Sequence, residues 1–156
     1  MKTEITIREA VDSDLPVLLK YEQGVVKAER PFDPTIKDAD VTYYDLGALM
    51  ENPKAILLVA SDGDKIVATG YALEKPARHY LDHETFAYLG FMYTDPDYRG
   101  MGINGKIVSG LKDWCTASGL TEIRLHVYSE NEPAIRAYEK VGFKRHMIEM
   151  RLRIES

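Results

Sequence analysis

A glycine-rich turn carries the clearest chemical signal in the chain. Gly100, Gly102 and Gly105 follow Arg99 and lie between a predicted strand and a predicted helix. Glycines let backbone amides approach a ligand closely, and the first N–H groups of a helix add the positive end of its dipole. An anionic phosphate is the natural ligand of such a turn. Arg99 would add positive charge, or else form an ordinary surface salt bridge.

The same glycines also fit the dinucleotide pattern Gly-x-Gly-x-x-Gly, with Glu130 as the acid that would bind a ribose hydroxyl. That pattern belongs after the first strand of a doubly wound sheet, and several strand–helix units should follow it. Here one helix and one strand remain after the next strand. A nicotinamide-dependent oxidoreductase is therefore the less favoured alternative.

A second segment of interest follows one strand–helix unit later. It reads Asn131-Glu132-Pro133-Ala134-Ile135-Arg136-Ala137-Tyr138-Glu139-Lys140-Val141-Gly142-Phe143. Asn131 would cap a helix, Pro133 would lie in its first turn and Gly142 would end it. Helical spacing alone places Tyr138 on the apolar stripe, which favours a core aromatic.

Together the two segments resemble the GNAT superfamily of acyl-CoA-dependent N-acetyltransferases. That family carries Pro-x-x-Arg-Gly-x-Gly-x-Gly/Ala at the pyrophosphate turn and Asn-x-x-Ala-x-x-x-Tyr-x-x-x-Gly-Phe on the next helix. The matching residues are Pro96, Arg99, Gly100, Gly102, Asn131, Ala134, Tyr138, Gly142 and Phe143. Asn104 departs from the pattern, because Gly or Ala is usual there. Its side chain would either crowd the pyrophosphate or donate to it, and Gly105 would relieve the crowding.

The resemblance implies that an acetyl group moves from acetyl-CoA to a primary amine of a small molecule or peptide, by direct attack in a ternary complex without a metal. Tyr138 corresponds to the general acid, and a phenol pKa of ~10 suits proton return to a thiolate whose conjugate acid lies near ~8.5. A backbone amide near Phe91 or Met92 would face the thioester oxygen, and Gly90 would fit a bulge in that strand. The implied CoA-binding residues are Met92, Tyr93, Thr94, Arg99, Gly100, Met101, Gly102, Ile103, Asn104, Gly105, Asn131, Ala134 and Tyr138.

The general base is less evident. Family members often carry a carboxylate near the start of the glycine-turn strand, where this chain has Phe86. Glu84 lies on the same strand face as Phe86 and Tyr88 and is the expected catalytic carboxylate, acting directly or through water. A lone Glu at a strand entrance is more often a solvated charge. His126 and a water chain without a dedicated base are the alternatives.

The acceptor is expected across the thioester from the CoA, with walls at 30–44 and 76–83. Phe32, Tyr44 and Tyr80 are the expected substrate-binding residues. Negative charge on the first wall suits an ammonium group, although such runs are commonly just solvated. The acidic residues concerned are Asp33, Asp38, Asp40 and Asp45.

Composition and length favour one globular domain over 1–156. The chain has 156 residues, 45% of them hydrophobic and 29% charged, enough to bury close to ~70% of the unfolded surface. Twenty Lys and Arg stand against 25 Asp and Glu without a basic stripe, which argues against a nucleic-acid partner. Cys115 is a single, core-facing thiol, no signal peptide is evident, and the longest apolar run, 55–60, is far below a ~20-residue span. We expect a cytoplasmic protein without a membrane partner.

The predicted elements alternate along the chain. Strands are predicted over 5–8, 55–60, 66–73, 85–94, 123–128 and 146–154, and helices from Asp12 or Ser13, near 45–51, over 102–118 and over 131–141. A loop with a short helix is predicted over 27–44, and Asp62-Gly63 predicts a hairpin turn. The order βααβββαβαβ predicts a mixed α/β sheet of GNAT-like fold, mostly antiparallel, with one parallel splayed strand pair.

Two further expectations concern the whole molecule. A CoA-binding sensor or structural module with degenerate catalysis is the alternative from another functional class, because the base is missing from its usual place. A homodimer formed through the C-terminal strand is expected, because members of the family commonly dimerise.

The run from His79 to His83 lacks a metal-binding spacing and is expected to be a surface loop.

Overall fold

The computed structural model describes residues 4–155, which fall into two compact units, one ending at His126 and the other beginning at Val127. Each unit is described by itself. The first contains β1 (Ile5–Glu9), α1 (Leu15–Glu29), α2 (Leu46–Glu51), β2 (Ala55–Asp62), β3 (Lys65–Pro76), β4 (Thr85–Thr94), α3 (Ile103–Ala117) and β5 (Ile123–Arg124). Short 3-10 turns lie at Asp12–Asp14, Arg30–Phe32 and Pro96–Tyr98. The second unit contains α4 (Glu132–Lys140).

The first unit is built on a five-stranded sheet with the strand order β1-β2-β3-β4-β5. Neighbouring strands are antiparallel except for β4 and β5, which are parallel. Only Ala87 with Ile123 and Tyr88 with Arg124 pair between these two strands, although β4 continues to Thr94. The mixed sheet with one parallel, splayed pair is therefore confirmed.

Helices α1 and α3 cover opposite faces of this sheet. Leu57 and Val59 of β2 belong to the core cluster that includes Leu18 of α1. Leu58, between them, points to the other face, where it lies against Gly110 of α3. Alternation along β2 thus produces two cores, because successive side chains of a strand face opposite sides.

The start of α1 differs slightly from its prediction. Asp12 and Ser13 were the expected caps, but they lie in a 3-10 turn and the helix begins at Leu15. The Asp14 carboxylate accepts the backbone N–H of Val11 at 2.8 Å and two hydrogen bonds from Arg8. This ion pair holds the turn in place and moves the start of the helix towards the C-terminus. At its other end α1 continues to Glu29, beyond the weakening of the apolar pattern at residue 27.

The remaining helices and the hairpin agree with their sequence signals. Asp45 caps α2 by accepting the N–H of Ala48 at 3.0 Å. Gly63 has a φ of 60° in the β2–β3 turn. Asn131 caps α4 through the N–H of Ala134 at 3.4 Å, and Gly142 follows with a φ of 109°. No helix within 4–155 is long and apolar enough to cross a bilayer.

Two predicted strands are wrong in extent or existence. The strand expected over 123–128 is reduced to Ile123–Arg124, because β4 and β5 diverge beyond that point. The strand expected over 146–154 is absent, since no described strand pairs with these residues. Alternation of apolar and polar residues predicts which side of a strand would be apolar. It does not provide the neighbouring strand whose hydrogen bonds a β-strand also needs. The apolar side chains of this segment are therefore 81–90% exposed; they are Met147, Ile148, Met150, Leu152 and Ile154.

Candidate active site

Asp95 anchors the start of the glycine turn. Its backbone N–H donates to the Val67 carbonyl at 2.8 Å. Its carboxylate accepts the N–H of Asp97 at 2.9 Å and the Tyr21 hydroxyl at 3.2 Å, and it forms an ion pair with Lys65 at 3.7 Å. The hydrogen bond from Asp97 is the main cause that lowers the pKa of Asp95 below its usual range. The Asp95 carboxylate is therefore ionised at neutral pH and holds the start of the turn.

The glycine turn itself is open. Gly100 and Gly102 have φ angles of 80° and 75°, in the left-handed region that glycine adopts without strain. A side-chain carbon built on Gly100, Gly102 or Gly105 meets no atom within 4 Å. Gly102 precedes α3 and places no capping side chain over its first turn, so the N–H groups of Ile103, Asn104 and Gly105 remain for an anion, before Lys106 N–H donates to the Gly102 carbonyl. The turn fits the predicted pyrophosphate.

Arg99 is held beside this turn. Its Nε donates to the Thr94 carbonyl at 3.1 Å, and its guanidinium lies 5.8 Å from the centre of the Tyr93 ring. Tyr93 in turn packs on Tyr21 with 5.0 Å between ring centres. Within 4–155 no carboxylate forms an ion pair with Arg99. The surface salt bridge named as the alternative is therefore not seen among these residues, and the guanidinium is held by Thr94 and Tyr93.

A β-bulge lies upstream in β4. Tyr71 pairs with Gly90 and Thr69 with Tyr93, so Phe91 and Met92 together oppose the single residue Gly70. Phe91 has a φ of 53°, the left-handed conformation that a phenylalanine rarely adopts. Backbone strain of this kind persists where the surroundings enforce it and is common at functional sites. The bulge predicted in this strand is confirmed.

Gly90 has no side chain and so leaves room for Tyr71 beside the bulge. A side-chain carbon on Gly90 would lie 2.4 Å from the Tyr71 ring and hydroxyl, which lie directly across it. Tyr71 is itself buried, and this burial is the main reason why the pKa of Tyr71 is raised to about 12. Tyr71 therefore remains a neutral hydroxyl packed on β4.

Four tyrosines gather around the bulge, and we call Tyr43, Tyr44, Tyr71 and Tyr88 the tyrosine cluster. The Tyr44 ring centre lies 5.1 Å from Phe91, 5.7 Å from Tyr71 and 5.8 Å from Tyr43. Tyr71 lies 6.5 Å from Tyr88. The predicted substrate-binding residue Tyr44 is thus brought to the part of β4 expected to face the thioester.

The hydroxyl of Tyr44 meets the backbone of the bulge. Burial raises the pKa of Tyr44 above its usual range, and a backbone hydrogen bond from Phe91 opposes that shift. The amide expected to face the thioester oxygen thus has a neutral phenol as its neighbour. A neutral phenol both accepts and donates a hydrogen bond, so this hydroxyl can serve a reacting oxygen or nitrogen.

Glu22 fixes the segment that carries Tyr43 and Tyr44. Its Oε2 accepts the backbone N–H groups of both tyrosines at 2.8 Å. The side chain is 1% exposed, and its Oε1 is buried without a hydrogen-bond partner within 4–155. The sequence interpretation missed Glu22, although a signal exists: Leu18, Glu22, Val25 and Glu29 share one face of α1 at helical spacing. Carboxylates on an apolar stripe are unusual and worth notice.

Glu29 is the second carboxylate on that stripe and was also missed. It is half-buried at the last residue of α1. It accepts a hydrogen bond from the Tyr43 side chain, and its charge adds to burial, the larger cause, in raising the pKa of Tyr44 and Tyr88. Glu29 therefore lies beside the tyrosine cluster.

The other predicted acceptor and base residues are more dispersed. Phe32 is half-buried in its 3-10 turn. Tyr80 is 65% exposed and contacts His79 and Arg78 of its own loop. Glu84 is exposed before β4, and seven residues of extended strand separate it from Phe91 by about 23 Å. That distance is far beyond a hydrogen bond or a single bridging water, so a part for Glu84 in the chemistry stays a proposal.

His126 is the predicted alternative base that does approach the cluster. Its Nδ1 lies 3.4 Å from the Tyr88 hydroxyl, and the two ring centres are 5.2 Å apart. His83, by contrast, is engaged by Asp82 at 2.9 Å and by Arg124 at 2.7 Å. Within 4–155 no group of three or more His, Cys, Asp and Glu side chains is arranged for a metal ion.

The second unit carries the other motif. Tyr138 is half-buried on α4, and its ring lies 5.9 Å from Phe143 in an edge-on arrangement. The Phe143 N–H donates to the Tyr138 carbonyl at 3.0 Å. Asn131 and Ala134 form the cap described above. Ile135, rather than Tyr138, is the buried residue of this helix, so the core-aromatic alternative for Tyr138 is not favoured.

An open, glycine-lined helix start lies at the end of a bulged strand, next to a parallel splayed pair, as the resemblance to acyl-CoA-dependent transferases implies. The chain matches the Acetyltransferase (GNAT) family over residues 23–143. It belongs to this family and is an acyltransferase with N-acetyltransferase activity. The nicotinamide alternative has no support.

Named relatives and solved structures agree with that assignment. A thialysine N-epsilon-acetyltransferase of Sus scrofa is 26% identical over 148 residues, covering 88% of this chain and 83% of the relative. A "predicted acetyltransferase with acetyl-CoA" from Clostridium acetobutylicum has a TM-score of 0.75 at 20% identity, over 96% of both chains. Glucosamine-6-phosphate N-acetyltransferase from Arabidopsis thaliana has a TM-score of 0.70 at 19% identity, over 97% of this chain and 99% of that one. These structures show the same fold.

Proposed function

We propose that the protein transfers the acetyl group of acetyl-CoA to a primary amine of a small molecule or peptide, by direct attack in a ternary complex. One observation carries the proposal: the strained bulge at Phe91 lies on the strand that ends at the open glycine turn. A thioester oxygen at the bulge and a pyrophosphate at the turn would be held by one continuous segment.

The protein's own residues would divide the work. Backbone N–H groups of the glycine turn and the Arg99 guanidinium would hold the pyrophosphate, assisted by Met101 and Asn104. Backbone groups of Met92, Tyr93 and Thr94 would hold the pantetheine arm. The Phe91 or Met92 amide would stabilise the oxyanion, a contribution typically about 3–4 kcal/mol for a well-placed donor.

Tyr138 is proposed as the general acid that protonates the CoA thiolate. The support is its place in the motif that includes Asn131, Ala134 and Phe143, together with its half-burial. Tyr138→Phe should lower kcat by roughly 10²–10⁴-fold while the Kd for acetyl-CoA changes little. Equal kcat values for Tyr138→Phe and the parent would remove Tyr138 from this role.

Acetyl-CoA binding and turnover test the proposed function. Acetyl-CoA at concentrations well above its Kd should raise the melting temperature, whereas NAD should not. Free-thiol release should then be followed with thialysine, an aminoglycoside, glucosamine 6-phosphate and a lysine-bearing peptide. Binding without turnover on any amine would support the CoA-binding sensor, and absence of binding would contradict both functions.

The assembly and the location of the protein are also proposals. The alternating apolar side chains of 147–154 are exposed in the single chain, and this exposure supports a homodimer in which a second copy would cover them. A cytoplasmic location rests on the single Cys115, which is buried and unpaired. Glu84 and Tyr80 keep the roles expected from sequence only as proposals.

A further inference from the structure

The half-buried carboxylate of Glu29 lies at the C-terminal end of its own helix, where the helix dipole disfavours a negative charge. Glu29 is the last residue of α1, and the C-terminal end of a helix carries partial negative charge. Within 4–155 no lysine, arginine or histidine forms an ion pair with Glu29. A carboxylate in such a place costs stability, which points to a use outside the fold.

The surroundings of Glu29 suit an ammonium group. Its carboxylate accepts a hydrogen bond from Tyr43. It also lies close enough to the hydroxyls of Tyr44 and Tyr88 for its negative charge to disfavour their ionisation, in addition to the larger effect of burial. Tyrosine ring faces attract cations, and the ring of Tyr88 already has the Lys75 ammonium 4.4 Å from its centre. The charged and titratable groups around Glu29 are therefore Asp33, Tyr43, Tyr44 and Tyr88, with Lys75 and His126 behind Tyr88.

The position relative to the reaction follows from Tyr44. The Tyr44 hydroxyl interacts electrostatically with the Glu29 carboxylate and accepts a hydrogen bond from the backbone of Phe91. An amine bound between Glu29 and Tyr44 would thus lie next to the bulge amide proposed to hold the thioester oxygen. Glu84 lies about 23 Å from that amide along the strand.

We propose that Glu29 binds the ammonium group of the acceptor and accepts its proton; this rests on the proposed function. The Glu29 carboxylate takes one proton from R-NH₃⁺, and the freed nitrogen lone pair forms a bond to the acetyl carbonyl carbon. The C–S bond then breaks and sulfur keeps its electron pair. Of the two protons lost by nitrogen, one passes through Glu29 to solvent and the other ends on sulfur.

The electrostatics of the residue agree with this role. Burial raises the pKa of Glu29, the Tyr43 hydrogen bond opposes that effect and Asp33 adds to it. A base with a raised pKa holds a proton more readily and is better matched to neutral pH. The acidic limb of the kcat/KM profile should therefore lie above the ordinary glutamate range of about 4.3.

Glu29→Gln tests the proposal in the full-length protein, since the amide keeps the shape and a hydrogen-bonding oxygen for Tyr43. With any amine of the panel that the parent acetylates, kcat/KM should fall roughly 10²–10⁴-fold and the acidic limb should disappear. The Kd for acetyl-CoA should not change. Glu51→Gln makes the same change at the exposed last residue of α2 and should leave all three quantities as in the parent.

The outcomes separate Glu29 from the proposed function. If the parent acetylates an amine and Glu29→Gln matches it in kcat/KM and pH profile, the assignment of Glu29 is wrong and the proposed function stands. A rise in KM alone, with kcat and the acidic limb intact, would contradict the proton-accepting role. A parent that binds acetyl-CoA but acetylates none of the amines would defeat the proposed function itself.

Discussion

Thr69 Oγ1 donates a 2.8 Å hydrogen bond to the carbonyl oxygen of Phe91, the residue whose left-handed backbone forms the bulge. Both residues are buried, with 1% exposure each. We expect Thr69→Val to destabilise the protein by about 1–3 kcal/mol, because it leaves a buried carbonyl without a partner. It should also lower kcat, since Phe91 loses the contact that enforces its conformation. Chemical denaturation and free-thiol release measure the two effects.

Thr69→Ser is the matched control for this prediction. It keeps the hydroxyl and removes one methyl group, which costs about 0.8 kcal/mol of burial. Its kcat should stay near that of the parent. Valine and serine variants with equal kcat would show that the hydroxyl does not hold the bulge.

Gly90→Ala should be strongly destabilising. The added methyl group would lie 2.4 Å from Tyr71, which is boxed in by Tyr44 and Tyr88. Overpacking of this kind costs about 1–3 kcal/mol. Gly47→Ala, at an exposed position of α2 with its nearest neighbour at 3.9 Å, should instead stabilise by up to about 1 kcal/mol through helix propensity. Thermal unfolding of the pair would contradict the packing argument if both substitutions were neutral.

The sequence was most informative where a local rule acts alone. The Asn131 cap, the Gly63 turn and the bounds of β4 depend on neighbours in the chain, and all were predicted. The strand over 146–154 failed because pairing is a non-local condition that alternation cannot supply. Glu22 and Glu29 were missed for a related reason. Their importance depends on meeting Tyr43 and Tyr44, and the sequence shows only that they share the apolar face of α1.

Gly102→Ala should weaken acetyl-CoA binding. An alanine at a φ of 75° costs about 1–2 kcal/mol, and its methyl group enters the space proposed for the pyrophosphate. Gly119→Ala is the matched control, because Gly119 has a φ of 74° and open space beyond the end of α3. Both variants should lose similar stability, but only Gly102→Ala should raise the Kd for acetyl-CoA in calorimetry. Equal Kd values would remove Gly102 from the binding turn.

Asp14 should make stability depend on pH at the acidic end. Hydrogen bonds from Arg8 are the main cause that lowers the pKa of Asp14, against the effect of burial. A lowered folded-state pKa means that this stabilisation is present above the unfolded value near 3.8 and is lost as pH falls through the folded value. Asp14→Asn should cost roughly 1–2 kcal/mol at neutral pH and flatten the acid limb. Glu74→Gln, which breaks an exposed pair with Lys54 at 3.6 Å, should cost under about 1 kcal/mol.

The C-terminal segment should control the oligomeric state. Met150 and Leu152 are 88% and 90% exposed in a run where apolar and charged residues alternate, and Glu149 is one of the charged residues. If a second copy covers the apolar side chains, Met150→Lys should shift the mass in light scattering from dimer to monomer, because a charge cannot be buried there unpaired. Glu149→Lys places the same side chain at a position that is already charged and should leave the dimer intact. A parent that is monomeric across the accessible concentrations would contradict the proposed homodimer.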